Sequence, residues 1–251
     1  MSQHSSQPGD ATVHPEAESP SVTTLVTGAT GAAGAEVCRA LLARGQQVVA
    51  IGRSEQKLVE LAAQTPGVLT AAADLADPED VRRVLDEVRA SHGLVDGLVH
   101  LVGGWRGGKK FTDATEDDWK FLSTNLIDTL RHVTLAVHDD LVASQHGRAV
   151  IVSAKAAAKP TAGNAVYATA KAAAEAWQLA LADSLRKTQS GRKDDPLPQT
   201  SAAVVLVITA IGDNPEFTAP DALAARIAAL FDADAGEING TRIDLTAPAT
   251  S

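Results

Sequence analysis

The sequence predicts an α/β fold, a doubly wound parallel sheet of seven strands with helices on both faces. Short β-branched runs alternate along the 251 residues with longer segments rich in alanine and leucine, as in successive βαβ units. Several short runs are apolar at consecutive positions, which is typical of strands covered by helices on both sides. Beyond residue 20 the composition shows no abrupt change that would mark a domain boundary, so we expect residues 21–251 to form one domain.

The predicted elements follow one another in a regular order. The strands are predicted at residues 23–26, 47–51, 68–72, 97–102, 148–152, 202–208 and 242–245. Helices are predicted between them, at residues 33–44, 55–64, 78–92, 115–144, 164–187 and 220–231. Residues 187–200 are polar and contain proline and glycine, so we expect an exposed loop there. Residues 1–20 are rich in Ser, Gln, Pro and Glu and predict a disordered tail.

Composition narrows the class of protein. The chain has 22 Lys+Arg against 31 Asp+Glu, and a net charge of −9 argues against nucleic acid or an anionic membrane as the main partner. Its one cysteine, Cys38, excludes an internal disulfide and a cysteine-based zinc site. We find neither a membrane-spanning stretch nor a secretory signal. We therefore expect a cytoplasmic protein that acts on a small molecule and needs no metal.

A glycine-rich turn, TGATGAAG, occupies residues 27–34 directly after the first strand. Glycines permit a tight strand-to-helix turn and let the backbone approach a pyrophosphate, while the following helix N-terminus supplies donors and partial positive charge. A plain βα turn would look similar, but the buried strand before it and the amphipathic helix after it favour dinucleotide binding in a Rossmann-type fold. The predicted cofactor contacts in the turn are Gly28, Thr30, Gly31, Ala32 and Gly34.

The end of the second strand predicts which dinucleotide is bound. An acidic residue there would bind the ribose hydroxyls of NAD, whereas an arginine accommodates the 2′-phosphate of NADP. Arg53 follows the strand, with Ser54 as a second donor, so NADP(H) is favoured over NAD(H). A solvated surface arginine is the alternative. After the third strand, Asp74 could accept a hydrogen bond from the adenine amino group or could merely cap a turn.

Tyr167, the only tyrosine of the chain, and Lys171 lie four residues apart in an alanine-rich predicted helix. This spacing places the phenol and the ammonium on one helix face. A free tyrosine titrates near pH 10, and a positive charge about 5 Å away would lower its pKa by about two pH units. The pair therefore predicts general acid–base chemistry.

These motifs together resemble the short-chain dehydrogenase/reductase family over residues 22–245. The resemblance implies that Tyr167 exchanges the substrate proton while hydride moves to or from nicotinamide, and that Lys171 also binds the nicotinamide ribose. Asn125 matches the family's helix asparagine, which takes part in the proton relay. Gly103 keeps a cofactor-side glycine of the family's D-x-L-V-N-N-A-G segment, where His100 and Leu101 replace the two asparagines.

The chain departs from this family where a catalytic serine is usual. That position is Ala154, and the neighbouring Ser153 is expected to point to the opposite face of its strand. The segments at Gly103–Gly104–Trp105, at Ala154–Lys155 and at Thr209 resemble the dihydropteridine reductase branch. The likeness implies that Trp105 and Ala154 contact the substrate and that Thr209 contacts the cofactor; a buried core indole is the other interpretation of Trp105. Arg53 disagrees with the acidic residue of that NADH-dependent branch.

The expected function is an NADP-dependent reductase acting on a small planar C=N or C=O acceptor. The alternative is a catalytically decayed NADP-binding sensor or scaffold, which Ala154 and the absence of the usual Pro-Gly after the sixth strand would favour. By likeness to the family, a homodimer or homotetramer is expected to form through the two long helices.

Overall fold

The computed structural model describes residues 22–192 and 194–246. The predicted disordered tail lies outside the described residues. The first half of the chain alternates strand and helix, as follows: β1 (Thr23–Thr27), α1 (Gly34–Leu42), β2 (Gln47–Gly52), α2 (Glu55–Gln64), β3 (Leu69–Ala72), α3 (Pro78–His92) and β4 (Gly97–His100).

The second half contains longer helices and a small hairpin. Its elements are α4 (Glu116–Ser123), a π-helical turn (Thr124–Asp128), α5 (Thr129–Ala143), β5 (Arg148–Ala154), α6 (Lys155–Ala158), α7 (Ala165–Gln189), β6 (Gly191–Arg192), β7 (Asp195–Pro196), β8 (Ala202–Ile208), α8 (Pro220–Ala229), α9 (Ala235–Ile238) and β9 (Arg242–Asp244). Two 3₁₀ turns, Phe111–Asp113 and Ala162–Asn164, lie in the connections.

Seven strands form the main sheet in the order β3-β2-β1-β4-β5-β8-β9, and every neighbouring pair is parallel. The predicted fold class is therefore confirmed. Strand order reverses between β1 and β4, since the chain leaves the sheet edge at β3 and returns beside β1. In sheets of this kind, a crevice for ligands opens outside the carboxyl ends of the strands at that reversal.

Side chains of successive strand residues enter apolar clusters on opposite sides of the sheet, because neighbouring positions of a strand face opposite ways. Val26 packs in a core with Val37 of α1 and Leu223 of α8. Leu25 packs on the other side with Val84 of α3 and other residues of α3, α5 and α7. Burial on both faces explains why the strands are apolar at consecutive positions.

The predicted helix at residues 115–144 is interrupted by the π-helical turn, which the sequence pattern did not predict. The N–H of Thr129 donates to the carbonyl of Thr124, five residues earlier. The carbonyl of Asn125 accepts instead from the Thr129 hydroxyl, at 2.7 Å. The predicted loop at 187–200 also differs, because α7 continues to Gln189 and β6 pairs with β7. In the described part of the chain, none of the helices is long and apolar enough to cross a membrane.

Candidate active site

A cavity of about 920 Å³ opens at the carboxyl ends of the central strands. Thirteen of the residues predicted to form the site line it: Gly28, Thr30, Gly31, Ala32, Arg53, Asp74, Gly103, Trp105, Asn125, Ala154, Tyr167, Lys171 and Thr209. Gly34 and Ser54 are not among its lining residues. The fold thus gathers segments more than 180 residues apart in the sequence around one space.

The glycine-rich turn fits tightly against the end of β4. Gly28 has φ +70°, a left-handed conformation, and a Cβ there would lie 2.7 Å from the backbone of Leu101 and Val102. Gly34 has a different task, because its Cβ would lie 1.8 Å from the Ala29 carbonyl oxygen. Gly34 therefore permits the close packing at the start of α1 and is not among the lining residues, and its contact with the cofactor stays a prediction.

The end of β2 presents basic side chains to the cavity. Arg53 and Lys57 both line it and both are exposed. Ser54 is the N-cap of α2, where its hydroxyl oxygen accepts from the Lys57 N–H at 3.4 Å, and its contact with the cofactor stays a prediction. Asp74 lines the cavity and also accepts from the Ala76 N–H at 3.1 Å, which is the turn-capping alternative.

Tyr167 and Lys171 lie on α7 as predicted, but their electrostatics differ from the prediction. The Lys171 ammonium is buried, donates to the Val152 carbonyl at 2.7 Å and lies 5.9 Å from the Tyr167 ring centroid. Burial lowers the pKa of Lys171 to about 8, against the opposing effect of Glu175. Burial raises the pKa of the Tyr167 phenol, so the predicted lowering is wrong for this structure.

His100 occupies the centre of a hydrogen-bond chain that sequence reasoning missed. Its Nδ1 lies 2.8 Å from the Thr27 hydroxyl and its Nε2 lies 3.3 Å from the Thr129 hydroxyl. Because Thr129 gives its proton to the Asn125 carbonyl, it accepts from Nε2–H, and Nδ1 accepts from Thr27. Burial, and secondarily the charge of Lys171, lower the pKa of His100 to about 3. The imidazole is therefore neutral near pH 7.

The chain from His100 ends at the π-helical turn. Asn125 donates through its side-chain amide to the Phe121 carbonyl at 2.8 Å, while its own carbonyl is bound by Thr129. The glycine-rich turn and the helix residue predicted for the proton relay are thus joined through one imidazole. Replacement of the family's asparagine by histidine at this position was the sequence signal that could have indicated it.

Ala154 ends β5 and presents a methyl group to the cavity. The hydroxyl of Ser153 donates to the Glu175 carboxylate, which also pairs with Arg242 at 3.0 Å. Ser153 is 1% exposed and committed to this contact. Ser153 does border the cavity, but its hydroxyl is engaged with Glu175, so we keep the prediction that it does not replace the missing serine.

The side of the cavity near α6 contains an aromatic ring and two lysines. Trp105 is 64% exposed, which excludes the alternative of a buried core indole. Lys155 and Lys159 also line the cavity, and neither was among the site residues predicted from the sequence. In the described part of the chain, no group of three His, Cys, Asp or Glu residues is placed to hold a metal ion.

Comparison with known sequences agrees with this geometry. Residues 22–189 match the family model described as short chain dehydrogenase. An NADP-dependent 3-hydroxy acid dehydrogenase from Shigella flexneri is 28% identical over 65% of this chain and 66% of its own. A Haemophilus influenzae protein, "Probable NADP-dependent dehydrogenase", is 30% identical over 66% of this chain and 67% of its own. The chain thus spans about two thirds of the length of these relatives.

Solved structures share the fold at low sequence identity. An NADPH-bound short chain oxidoreductase from Pseudomonas aeruginosa PAO1, described as containing an atypical catalytic center, superposes with a TM-score of 0.78 at 17% identity, covering 91% of this chain and 96% of that one. A short-chain type dehydrogenase/reductase from Mycobacterium ulcerans gives a TM-score of 0.77 at 20% identity, covering 89% and 88%. The chain belongs to the short-chain dehydrogenase family, a class of oxidoreductases.

Proposed function

We propose that the chain is an NADP-dependent oxidoreductase that transfers hydride to a small planar C=O or C=N acceptor. The observation that carries this proposal is the convergence of the glycine-rich turn, Tyr167 and Lys171 on one cavity. Relatives named as NADP-dependent dehydrogenases support the class of reaction. One of them is named for 3-hydroxy acids, which supports an alcohol–carbonyl couple.

The residues present fit a dinucleotide. Gly28 leaves a cradle that a Cβ would fill, and the turn containing it opens onto the cavity. Arg53 and Lys57 would hold a 2′-phosphate, which favours NADP(H) over NAD(H). Thr30, Gly31, Ala32, Gly103 and Thr209 would contact the remaining parts of the cofactor. When bound, the nicotinamide supplies the hydride.

Tyr167 is the proposed proton donor. Burial raises the pKa of its phenol, so it holds its proton near pH 7 and is prepared for donation, which suits reduction of the acceptor. Lys171, whose pKa falls to about 8, is the cationic group that would stabilise the phenolate left after proton transfer. Asn125 and the chain through Thr129 and His100 fix the helix segment behind these two residues.

A pterin-type C=N acceptor is a more specific candidate within this proposal. Without a serine at position 154, the site lacks the hydroxyl that polarises a ketone in the resembled family, and a conjugated imine needs it less. Trp105, exposed at the cavity wall, offers a flat apolar surface to a planar ring. Arg53 argues against full likeness to the NADH-dependent branch.

The experiment is NADPH oxidation over a panel of quinonoid pterin, cyclic imines, quinones and small ketones. We expect Tyr167→Phe to lower kcat by about 10²–10⁴-fold while leaving NADPH binding intact. We expect Arg53→Ala to raise the KM for NADPH about 10–100-fold and to leave the KM for NADH nearly unchanged. Arg82, exposed and ion-paired with Glu79 outside the cavity, supplies the control Arg82→Ala. Full turnover in Tyr167→Phe would contradict the proposed chemistry.

A second candidate is an NADP-binding sensor or scaffold without turnover. Two observations favour it: Ala154 stands where the family has serine, and the Lys171 ammonium is bonded to the Val152 carbonyl. NADPH binding with no oxidation across the whole panel would support this candidate and reject the reductase.

We also infer that the chain forms a homodimer or homotetramer through α5 and α7. Leu135 of α5 is 60% exposed and Leu179 of α7 is 44% exposed, and Trp177 and Leu135 line a second, smaller cavity between the helices. Light scattering of the wild type and of Leu135→Glu tests this assembly. A monomeric wild type would contradict it.

A further inference from the structure

The charges around the cavity are opposite in sign to those of the whole chain. The protein has a net charge of −9, yet among the described residues the cavity is lined by five basic side chains and one carboxylate. The carboxylate is Asp74, near the end of β3. The basic residues are Arg53, Lys57, Lys155, Lys159 and Lys171. A cavity walled by one sign of charge concentrates ligands of the other sign.

The five basic residues comprise two separate exposed pairs and one buried lysine. Arg53 and Lys57 follow β2, where the proposed function places the cofactor phosphate. Lys171 is buried and bonded to the Val152 carbonyl. Lys155 and Lys159 follow β5, at the start and at the C-cap of α6. The second pair therefore needs an explanation other than the cofactor phosphate.

Lys155 and Lys159 are placed to meet a ligand beside Tyr167. Lys155 directly follows Ala154, and Ala154 and Tyr167 line the same cavity. Both lysines are exposed, and within residues 22–192 and 194–246 neither ammonium has a hydrogen-bond or ion-pair partner. Asp244, whose pKa is lowered mainly by hydrogen bonds from Thr246 and to a lesser extent by the charge of Lys155, is not among the lining residues. The pair can therefore form new contacts with an incoming anion.

We infer that the substrate carries an anionic group, a carboxylate or a phosphate, which Lys155 and Lys159 bind while its reducible carbon faces Tyr167. This inference rests on the proposed function, because it concerns the substrate of the same site. Ammonium groups are compact point charges with three donors each, and they suit either anion. Two of them acting together would select against neutral acceptors of the same shape.

The first test is binding, measured by calorimetry on the NADP⁺-loaded protein. The probes are two pairs that differ in the anionic group: 3-oxobutanoate against its methyl ester, and hydroxyacetone phosphate against hydroxyacetone. We expect the anionic member of at least one pair to bind about tenfold or more tightly than its partner. The pair that shows the preference tells a carboxylate from a phosphate. Equal binding within both pairs would overturn the inference.

Variants then test the two lysines. We expect Lys155→Gln and Lys159→Gln each to weaken anionic probe binding about 3–10-fold, and the double variant to remove the preference over the neutral partner. Lys155→Arg keeps the positive charge and should retain most of the preference for the anionic probe. Lys187, exposed and ion-paired with Asp183 on α7, gives the control Lys187→Gln, which should leave the preference unchanged. If the double variant kept the preference, or weakened NADPH binding more than probe binding, the assignment would be wrong.

The outcomes separate this inference from the proposed function. Turnover of neutral ketones or imines with no preference for anionic probes would leave the reductase intact and reject the inference. Lysine-dependent binding of an anionic probe, together with no NADPH oxidation across the whole panel, would support an anion site at Lys155 and Lys159 and reject the reductase.

Discussion

The buried, neutral His100 should make the protein sensitive to acid. In the fold its pKa is about 3, because the imidazole is enclosed between β1, β4 and α5, whereas an unfolded histidine titrates near 6.5. The unfolded chain therefore binds a proton between these values that the folded chain does not, and stability falls as the pH falls below about 6.5. Between pH 7 and pH 4.5 this linkage is worth about 2.5 kcal/mol.

The perturbation is His100→Asn, which replaces the imidazole by the residue that the resembled family has at this position. Asparagine can hydrogen-bond to the Thr27 and Thr129 hydroxyls but does not titrate. The free energy of unfolding is measured by urea denaturation of both proteins at pH 7 and at pH 4.5. Protonation of carboxylates destabilises both proteins to the same extent. The difference between their losses in the free energy of unfolding therefore reports the contribution of His100.

We expect the wild type to lose about 2.5 kcal/mol more than the variant over this pH range. His146 is exposed and supplies the matched control His146→Asn, which should behave as the wild type. Equal losses in the wild type and His100→Asn would refute the reasoning, since it would mean that the folded protein protonates His100 without cost.

Three further predictions concern buried or constrained groups. Cys38 should resist iodoacetamide in the folded protein at pH 8 and react in urea, because burial raises the pKa of its thiol to about 12; labelling of the folded protein at the urea rate would contradict this. Lys171→Met should raise the free energy of unfolding at pH 7 by on the order of 2 kcal/mol. A pKa lowered from 10.5 to about 8 means that the buried charge destabilises the fold by about 3 kcal/mol, and the variant removes that cost but also loses a hydrogen bond that contributes about 1 kcal/mol. The wild type should accordingly gain stability from pH 8 to pH 10.5, where that lysine loses its proton, and a flat profile would contradict the reasoning. Gly28→Ala should weaken NADPH binding and lower the melting temperature more than Gly45→Ala, which has a similar φ but nothing within 4 Å of the added Cβ; equal effects would show that the close approach to β4 is unimportant.

The fold could be predicted because its signals are local and repeated. Runs such as AAVVLVI in β8 are apolar at every position, and a run this short and rich in β-branched residues is typical of a strand buried on both faces. The π-helical turn could not be predicted in the same way. Leu122, Leu126 and Leu130 are all buried at steps of four residues, which a continuous α-helix would also display. The π-helical turn depends on the hydrogen bonds that Thr129 makes to the carbonyls of Thr124 and Asn125, and the spacing of apolar residues does not indicate them.

The site could be predicted only as far as the backbone determines it. Residues four apart on a helix share a face, so the neighbourhood of Tyr167 and Lys171 followed from spacing alone. The position of the Lys171 ammonium depends instead on burial and on the acceptors within its reach, and here the acceptor is the Val152 carbonyl of β5. Ser54 and Gly34 show the same limit, because the motif does not reveal that one caps a helix and the other permits close packing.

Because the chain as a whole is acidic and the cavity wall is basic, salt should affect the association rate and the dissociation rate of an anionic ligand differently. At low ionic strength the net charge of −9 repels a distant anion, while the attraction of the cavity lysines dominates once the anion is close to them. Added salt should therefore speed the encounter of anionic ligands and, at the same time, shorten their residence. A dissociation constant alone would hide these opposing changes, whereas association and dissociation rates measured over a salt series would reveal both.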